Sequence, residues 1–425
     1  MNRLDQLRNE IGGGGSVAVE APEEEQQQPE TSPAMTIVGL VSVVGLFAWL
    51  GFVNPWMLVF AIGILLSVFL HEAGHFITAR LTGMKATQFF IGIGPRIWSF
   101  HRGETEYGLR AVPVAAYVRI IGMSNMDEVP PADEARTYRR QTYPRRMLVI
   151  TAGSIMHIII AIVLLFGVFA NRGELREIDG ARIAAIEERG AADRAGLEPN
   201  DVIVALDGEP IIDDEELGEL VRSYSPGDRI TVDYRRDGVE QSLDVALGRN
   251  SDRESEFFGM AMLGVGSGPG AEFREVSMAK AAQLSITELG PTTWQSTKGV
   301  FTVLNPVNIV SHVFGDNEDM TTRPTTLVGV TQVSGLVGDS QGFIGVVYLL
   351  AVLNVFVGVF NMFPLLPLDG GHAAIATYER VRSRRGGRYF ADVSKMMPFA
   401  MAVMMVLLLL FMSGLYLDIT KPLGG

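Results

Sequence analysis

In the stretch LSVFLHEAGHFITAR, His71, Glu72 and His75 are of the types that activate water. They form the spacing H-E-x-x-H, and on a helix residues four apart share a face. Two imidazoles so placed can bind one Zn²⁺, and the glutamate beside them can take a proton from water. The stretch lies in an apolar run that keeps residues 35–70 free of charge. Ionisable groups at membrane depth are costly and mark sites.

A hydrolytic zinc takes three protein ligands and leaves one position open, so a third ligand must come from elsewhere. The segment NMFPLLPLDGG, Asn361 to Gly371, carries the other strongly polar group joined to an apolar run. Its two prolines and glycine pair forbid a regular helix. Irregular backbone at membrane depth is tolerated only against protein or a water-filled cavity. Asp369 is therefore either a carboxylate facing the site or a loop aspartate at the membrane surface.

The elements that must position these groups are membrane spans. The chain has 425 residues, 48% of them apolar, with a positive mean hydropathy. Apolar runs at 36–53, 56–80, 147–170, 343–363 and 397–417 are close to the roughly 20 residues that cross a bilayer. A polytopic α-helical membrane protein follows. The first two runs as one helix would be about twice the bilayer's thickness, so they are two passes, broken at Gly51-Phe52-Val53-Asn54-Pro55. Residues 36–50 lack a preceding basic region and do not read as a cleaved signal peptide.

The net charge is −13, but arginines crowd two loops: Arg136, Arg139, Arg140, Arg145 and Arg146, then Arg380, Arg382, Arg384, Arg385 and Arg388. The positive-inside rule makes both loops cytoplasmic. The N-terminus is then cytoplasmic, and residues 171–342 lie outside. The Gly-rich, acidic N-terminal tail reads as disordered. There are no cysteines, which excludes disulfides, thiolate metal sites and thiol nucleophiles. No nucleic-acid partner is expected.

HEAGH in one span with NMFPLLPLDGG in a later one resembles the site-2 protease family of intramembrane zinc metalloproteases. MKATQFFIGIGPRIWSFHRGETEYGLRAVPVAAYVRIIGM resembles the family's membrane-dipping β-hairpin, and RPTTLVGVTQVSG the stretch before its third core helix. ARIAAIEERGAADRAGLEPNDVIVALDGEPI is similar to a bacterial PDZ domain, with a helix start after Gly190, a stop at Gly196 and a turn at Asp207-Gly208. The combination closely resembles the actinobacterial, regulated-intramembrane-proteolysis type with one PDZ domain.

The resemblance implies one Zn²⁺ on His71, His75 and Asp369, Glu72 as general base, and Asn361 as a hydrogen-bonding partner of the substrate or oxyanion. It implies substrates that are single-span membrane proteins such as anti-sigma factors, cut after an upstream protease sheds their ectodomain. Phe90-Ile91-Gly92-Ile93-Gly94 is either an edge strand that takes the substrate by β-augmentation, with Gly92 and Gly94 in contact with it, or a hairpin turn. The chain departs from the family twice. It has an extra run at 36–53, either a span or re-entrant. It also has His157 where the family's G-P-x-x-N pattern has an amide, a residue expected to touch substrate.

The expected organisation is a disordered cytoplasmic tail (1–35), an extra transmembrane helix (36–53) and the catalytic helix (56–81). A cytoplasmic or membrane-dipping β-hairpin loop (82–146), a span (147–170) and an extracytoplasmic PDZ-like α/β domain (171–265) follow. An amphipathic connecting region (266–342), a span with a broken segment (343–371), a cytoplasmic loop (372–396), a last span (397–417) and a tail (418–425) complete it. Two other classes stay open: a metal-ion or proton transporter, although no repeated motif is present, and a catalytically idle PDZ scaffold. The PDZ groove either binds a peptide or only supports the fold.

Overall fold

The computed structural model describes residues 33–123, 127–253, 255–315, 319, 322–383 and 389–422. The expected disordered tail up to residue 32, the arginines at 384, 385 and 388, and residues 423–425 lie outside them. Four helices are long and apolar enough to cross a membrane: α2 (Pro55–Leu81), α3 (Tyr143–Arg172), α9 (Leu327–Asn361) and α11 (Met397–Thr420). Before them, α1 (Pro33–Val53) is apolar, with a shorter apolar stretch at Ile37–Val53. Asn54 breaks α1 from α2, its side chain accepting the Trp56 N–H at 2.8 Å ahead of Pro55 at the helix start. A short polar side chain in that place satisfies one of the helix's orphan donors.

The chain divides into two compact units, residues 1–161 with 292–425, and Ile162–Pro291. In the first, β1 (Ala86–Arg102) and β2 (Thr105–Ile120) turn at Gly103, which has φ 66°. Both strands bend, so they make four segments. Residues 96–102 pair with 105–110, from Arg96 opposite Arg110 to Arg102 opposite Thr105. Residues 88–91 then have partners on both sides, Phe90 lying opposite Tyr117 and also beside Gly108. α1 packs on this sheet, where a Cβ on Gly39 would lie 2.9 Å from Ala111 Cβ.

α9 begins well before residue 343, the start of the uninterrupted apolar run. It is kinked at Gly342 (φ 66°, ψ −161°). The glycines and serines of its first half depress hydropathy, yet they permit close packing on α2: a Cβ at Gly338 would overlap Trp56, and one at Gly335 would lie 3.2 Å from Met57 Cγ. Its start is anchored by buried Asp418 of α11, which accepts from Thr326 N (2.8 Å), Thr326 Oγ1 (2.6 Å) and Gly329 N (3.1 Å). α10 (Asp369–Arg382) follows the irregular segment after α9.

The second unit holds an antiparallel sheet in the order β10 (Val265–Arg274), β3 (Glu174–Ile186), β4 (Val202–Leu206), β6 (Arg229–Arg236), β7 (Val239–Ala246), with β5 (Glu209–Pro210) beside β4. Two helices accompany it, α4 (Ala191–Ala195) and α5 (Asp214–Ser223). Ile183, Ile203, Leu206, Leu217, Val221, Ile230 and Val232 form its core. Gly196 ends α4 in the left-handed region (φ 89°), where a side chain would be strained. β10 pairs with β3 from Val265 to Arg274, so the sheet continues past the boundary drawn at residue 265. The short paired segments β8 (Gly248–Arg249) and β9 (Ala261–Met262) precede β10. Helices α6 (Met278–Thr287), α7 (Leu289–Val303) and α8 (Pro306–Phe314) lie between β10 and α9 in the chain.

Candidate active site

Four-residue spacing on α2 turns His71 and His75 to one side, their Nε2 atoms 3.2 Å apart. Asp369 at the first turn of α10 brings Oδ2 to 3.5 Å from His71 Nε2 and 3.3 Å from His75 Nε2. One donor atom from each of the three lies within 4.8 Å of the others. His75 Nδ1 is 2.7 Å from Val149 O and donates to it, so its Nε2 carries a bare lone pair. Asp369 Oδ2 is buried without a hydrogen-bond donor. His75 Nε2 and Asp369 Oδ2 are thus two acceptors 3.3 Å apart, and a cation between them removes their repulsion. A two-imidazole, one-carboxylate donor set suits zinc with an open position.

Glycines allow this convergence. A Cβ on Gly153 of α3 would overlap His71 and His75 Nε2, and one on Gly74 would lie 2.8 Å from Ala152 O, so α2 and α3 touch at the site. A Cβ at Gly370 would overlap the Met362 and Phe363 backbone, and one at Gly371 would lie 2.7 Å from Leu366 N. The glycine pair thus lets α10 start directly against the Met362–Leu368 coil. Glu72 Oε1 is 3.9 Å from His71 Nε2, and its side chain is 17% exposed. The Val118 backbone of β2 lies against that carboxylate.

His157 of α3 joins the cluster, its ring 4.9 Å from that of His71, but it is outside the three-donor group. Asn361 is the last residue of α9, and among the described residues no hydrogen bond or ion pair links it to the three donors. Gly92 (φ 92°) and Gly94 (φ 84°) sit at the bend inside β1, where a Cβ on Gly92 would lie 2.8 Å from Arg110 O. The hairpin turn is at Gly103 instead. Phe90 and Ile91 are paired on both sides and offer no free edge, whereas Ile93 is paired only with Val112. Within the sheet's own pairing, the free sides belong to residues 116–120, next to Glu72, and to residues 96–102.

Three residues at the site escaped the sequence reading: Gly153 as a contact of both imidazoles, and Ser67 and Asn354, whose side chains are 3.1 Å apart. A lone amide within VVYLLAVLNVFVGVF was the available signal, since polar groups in spans seldom lack a partner. Beside the site, an apolar cavity of about 730 Å³ is lined by Ser154, Ile155, Ile158, Val359, Met362 and Phe363, among others.

A family model described as Peptidase family M50 matches residues 59–405. The zinc metalloprotease Rip1 of Mycobacterium tuberculosis is 29% identical over 396 residues, 86% of this chain and 98% of its own. Rip1 of Mycolicibacterium smegmatis is 29% identical over 403 residues, 87% and 98% of the two chains. A relative from Agrobacterium fabrum is 30% identical over 392 residues, 88% and 98%. Among solved structures, the PDZ domain of the SdrC-like protein from Listeria monocytogenes is 20% identical, covering 22% of this chain and 90% of that one, with a TM-score of 0.19.

Proposed function

Since the chain belongs to peptidase family M50 and is a polytopic, PDZ-containing zinc metalloprotease of the site-2 type, we propose that it cuts a peptide bond within the transmembrane segment of single-span membrane proteins. Membership sets aside the transporter and the idle scaffold. The observation that carries the reading is the convergence of His71, His75 and Asp369, with Glu72 beside them, on helices fit to span a bilayer.

In this reading His71, His75 and Asp369 hold the zinc. Bound there, zinc supplies a Lewis acid that lowers the pKa of water to about 7. Glu72 accepts the water's proton and returns it to the nitrogen of the departing amine. Val149 O, through the His75 Nδ1–H, fixes that ring's tautomer and aim. The scissile peptide must leave its helix before its carbonyl can be attacked. The free edge at residues 116–120, beside Glu72, suits an extended strand. Asn361 contacts the substrate or oxyanion, and the Gly92–Gly94 bend shapes the sheet beneath the substrate.

The arginine-rich loops support a cytoplasmic N-terminus and an extracytoplasmic PDZ-like domain. With that orientation the partners are membrane signalling proteins of the anti-sigma type, first trimmed by an ectodomain-shedding protease. The test is co-expression of tagged single-span proteins, full-length and pre-trimmed, with wild type or Glu72→Gln. A shortened membrane stub that appears with wild type alone supports the reading. If no single-span protein is shortened, it fails.

A further inference from the structure

His157 is 98% buried on α3, and nothing in the mechanism above uses its ring nitrogens. Nδ1 is 2.8 Å from Asn354 Oδ1. The amide of Asn354 is oriented by its other contacts: Nδ2 lies 2.8 Å from Leu350 O and 3.1 Å from Ser67 Oγ. Turned over, it would set its oxygen against the Leu350 carbonyl oxygen. Ser67 gives its own proton to Gly63 O at 2.9 Å, so toward Asn354 it can only accept. Oδ1 of Asn354 is thus an acceptor, and Nδ1 of His157 must be the donor. A neutral imidazole has one N–H, which leaves Nε2 with a bare lone pair.

Among the described residues no hydrogen bond is made by Nε2, and it is not one of the fully enclosed polar atoms, so a donor entering the site can reach its lone pair. The ring cannot retreat, because α9 closes its backbone side: a Cβ on Gly358 would lie 3.2 Å from His157 Cβ. A peptide drawn out of its transmembrane helix has the complementary deficit, N–H groups that have lost their carbonyls where water is scarce. We propose that His157, locked as the Nδ1–H tautomer by Asn354 and Ser67, presents Nε2 as the acceptor for one backbone N–H of the unwound substrate. This rests on the proteolytic reading and gives that site a substrate-binding residue with a stated atom and polarity.

Full-length protein carrying ¹³C,¹⁵N-histidine in detergent micelles tests the lock directly. There are six histidines, and the His157 signals are those lost in His157→Asn. The expected result is the Nδ1–H tautomer in wild type and a mixture of tautomers in Asn354→Leu, whereas an Nε2–H ring in wild type overturns the lock. For the substrate role, the probe is an apolar tripeptide hydroxamate and its backbone N-methylated analogues, with binding to zinc-loaded protein measured by calorimetry. One methyl position should weaken binding to wild type about tenfold and leave binding to His157→Phe unchanged. If every methyl acts alike on both proteins, Nε2 serves a water and the proposal is wrong. Failure of the proteolytic reading shows separately, as wild type that does not bind the parent hydroxamate, and would remove the substrate role with it.

Discussion

Gly153→Ala sets two effects of opposite sign against each other. Alanine in a helix interior favours folding over glycine by about 1 kcal/mol, so propensity alone predicts a firmer α3. At this position, however, the new methyl would lie 2.6 Å from His71 Nδ1 and would also overlap His71 Cε1 and His75 Nε2. Ordinary contact is about 3.5 Å, so the imidazoles or α3 must move by at least about 0.9 Å. Metal–ligand distances hold only within about 0.2 Å. The displacement therefore exceeds what the site tolerates, and zinc affinity should fall by about 100-fold or more, since loss of outer-shell support alone costs about 10–100-fold. Titration of the purified variant against a fluorescent zinc chelator reads the affinity, and circular dichroism during heating reads the fold. The expected pair is weakened zinc with helix content no lower than wild type. Wild-type zinc affinity in Gly153→Ala would refute the packing argument, because the imidazoles would then not be pressed against α3.

Glu72→Gln should keep its zinc and lose about 10² to 10⁴-fold in cleavage rate, because an amide cannot take the water's proton; near wild-type cleavage by the metal-loaded variant removes Glu72 as the base. Asp369→Ala should lower zinc content itself, and full occupancy by metal analysis would take Asp369 out of the donor set. Away from the site, buried Arg146 and Glu379 pair at 2.7 Å between α3 and α10. Glu379→Ala should destabilise by about 3–5 kcal/mol by stranding the guanidinium, while Arg146→Met with Glu379→Leu should recover most of that loss; thermal unfolding in detergent that shows the double variant worse than the single would contradict this.

The chemistry was legible in the chain because it is written locally. His71, Glu72 and His75 lie within one helical turn and a half, and helical periodicity alone puts the two imidazoles together. The spans were legible because a bilayer demands long apolar runs, and the break between α1 and α2 because Asn54-Pro55 stops one helix and starts the next. Asp369 was legible only in part: Pro364, Pro367 and Gly370-Gly371 mark irregular backbone, but whether its carboxylate faces the site or the membrane surface is decided by packing against His75, 294 residues earlier in the sequence. The early start of α9 stayed hidden because Gly335 and Gly338 lower hydropathy for the same reason that they are useful, having no side chain to hold α2 away. In the sheet, the sequence alone leaves residues 90–94 as either an edge strand or a hairpin turn. Gly92 and Gly94 announce a bend, but which segment ends at the edge depends on how residues 88–91 pair with both 106–109 and 116–119, and register between strands is set by contacts that no single strand carries. The tautomer of His157 is the furthest from the sequence: it needs Asn354 and Ser67 from two other helices, because a proton's position on a ring is fixed by whichever partner the tertiary fold sets beside it.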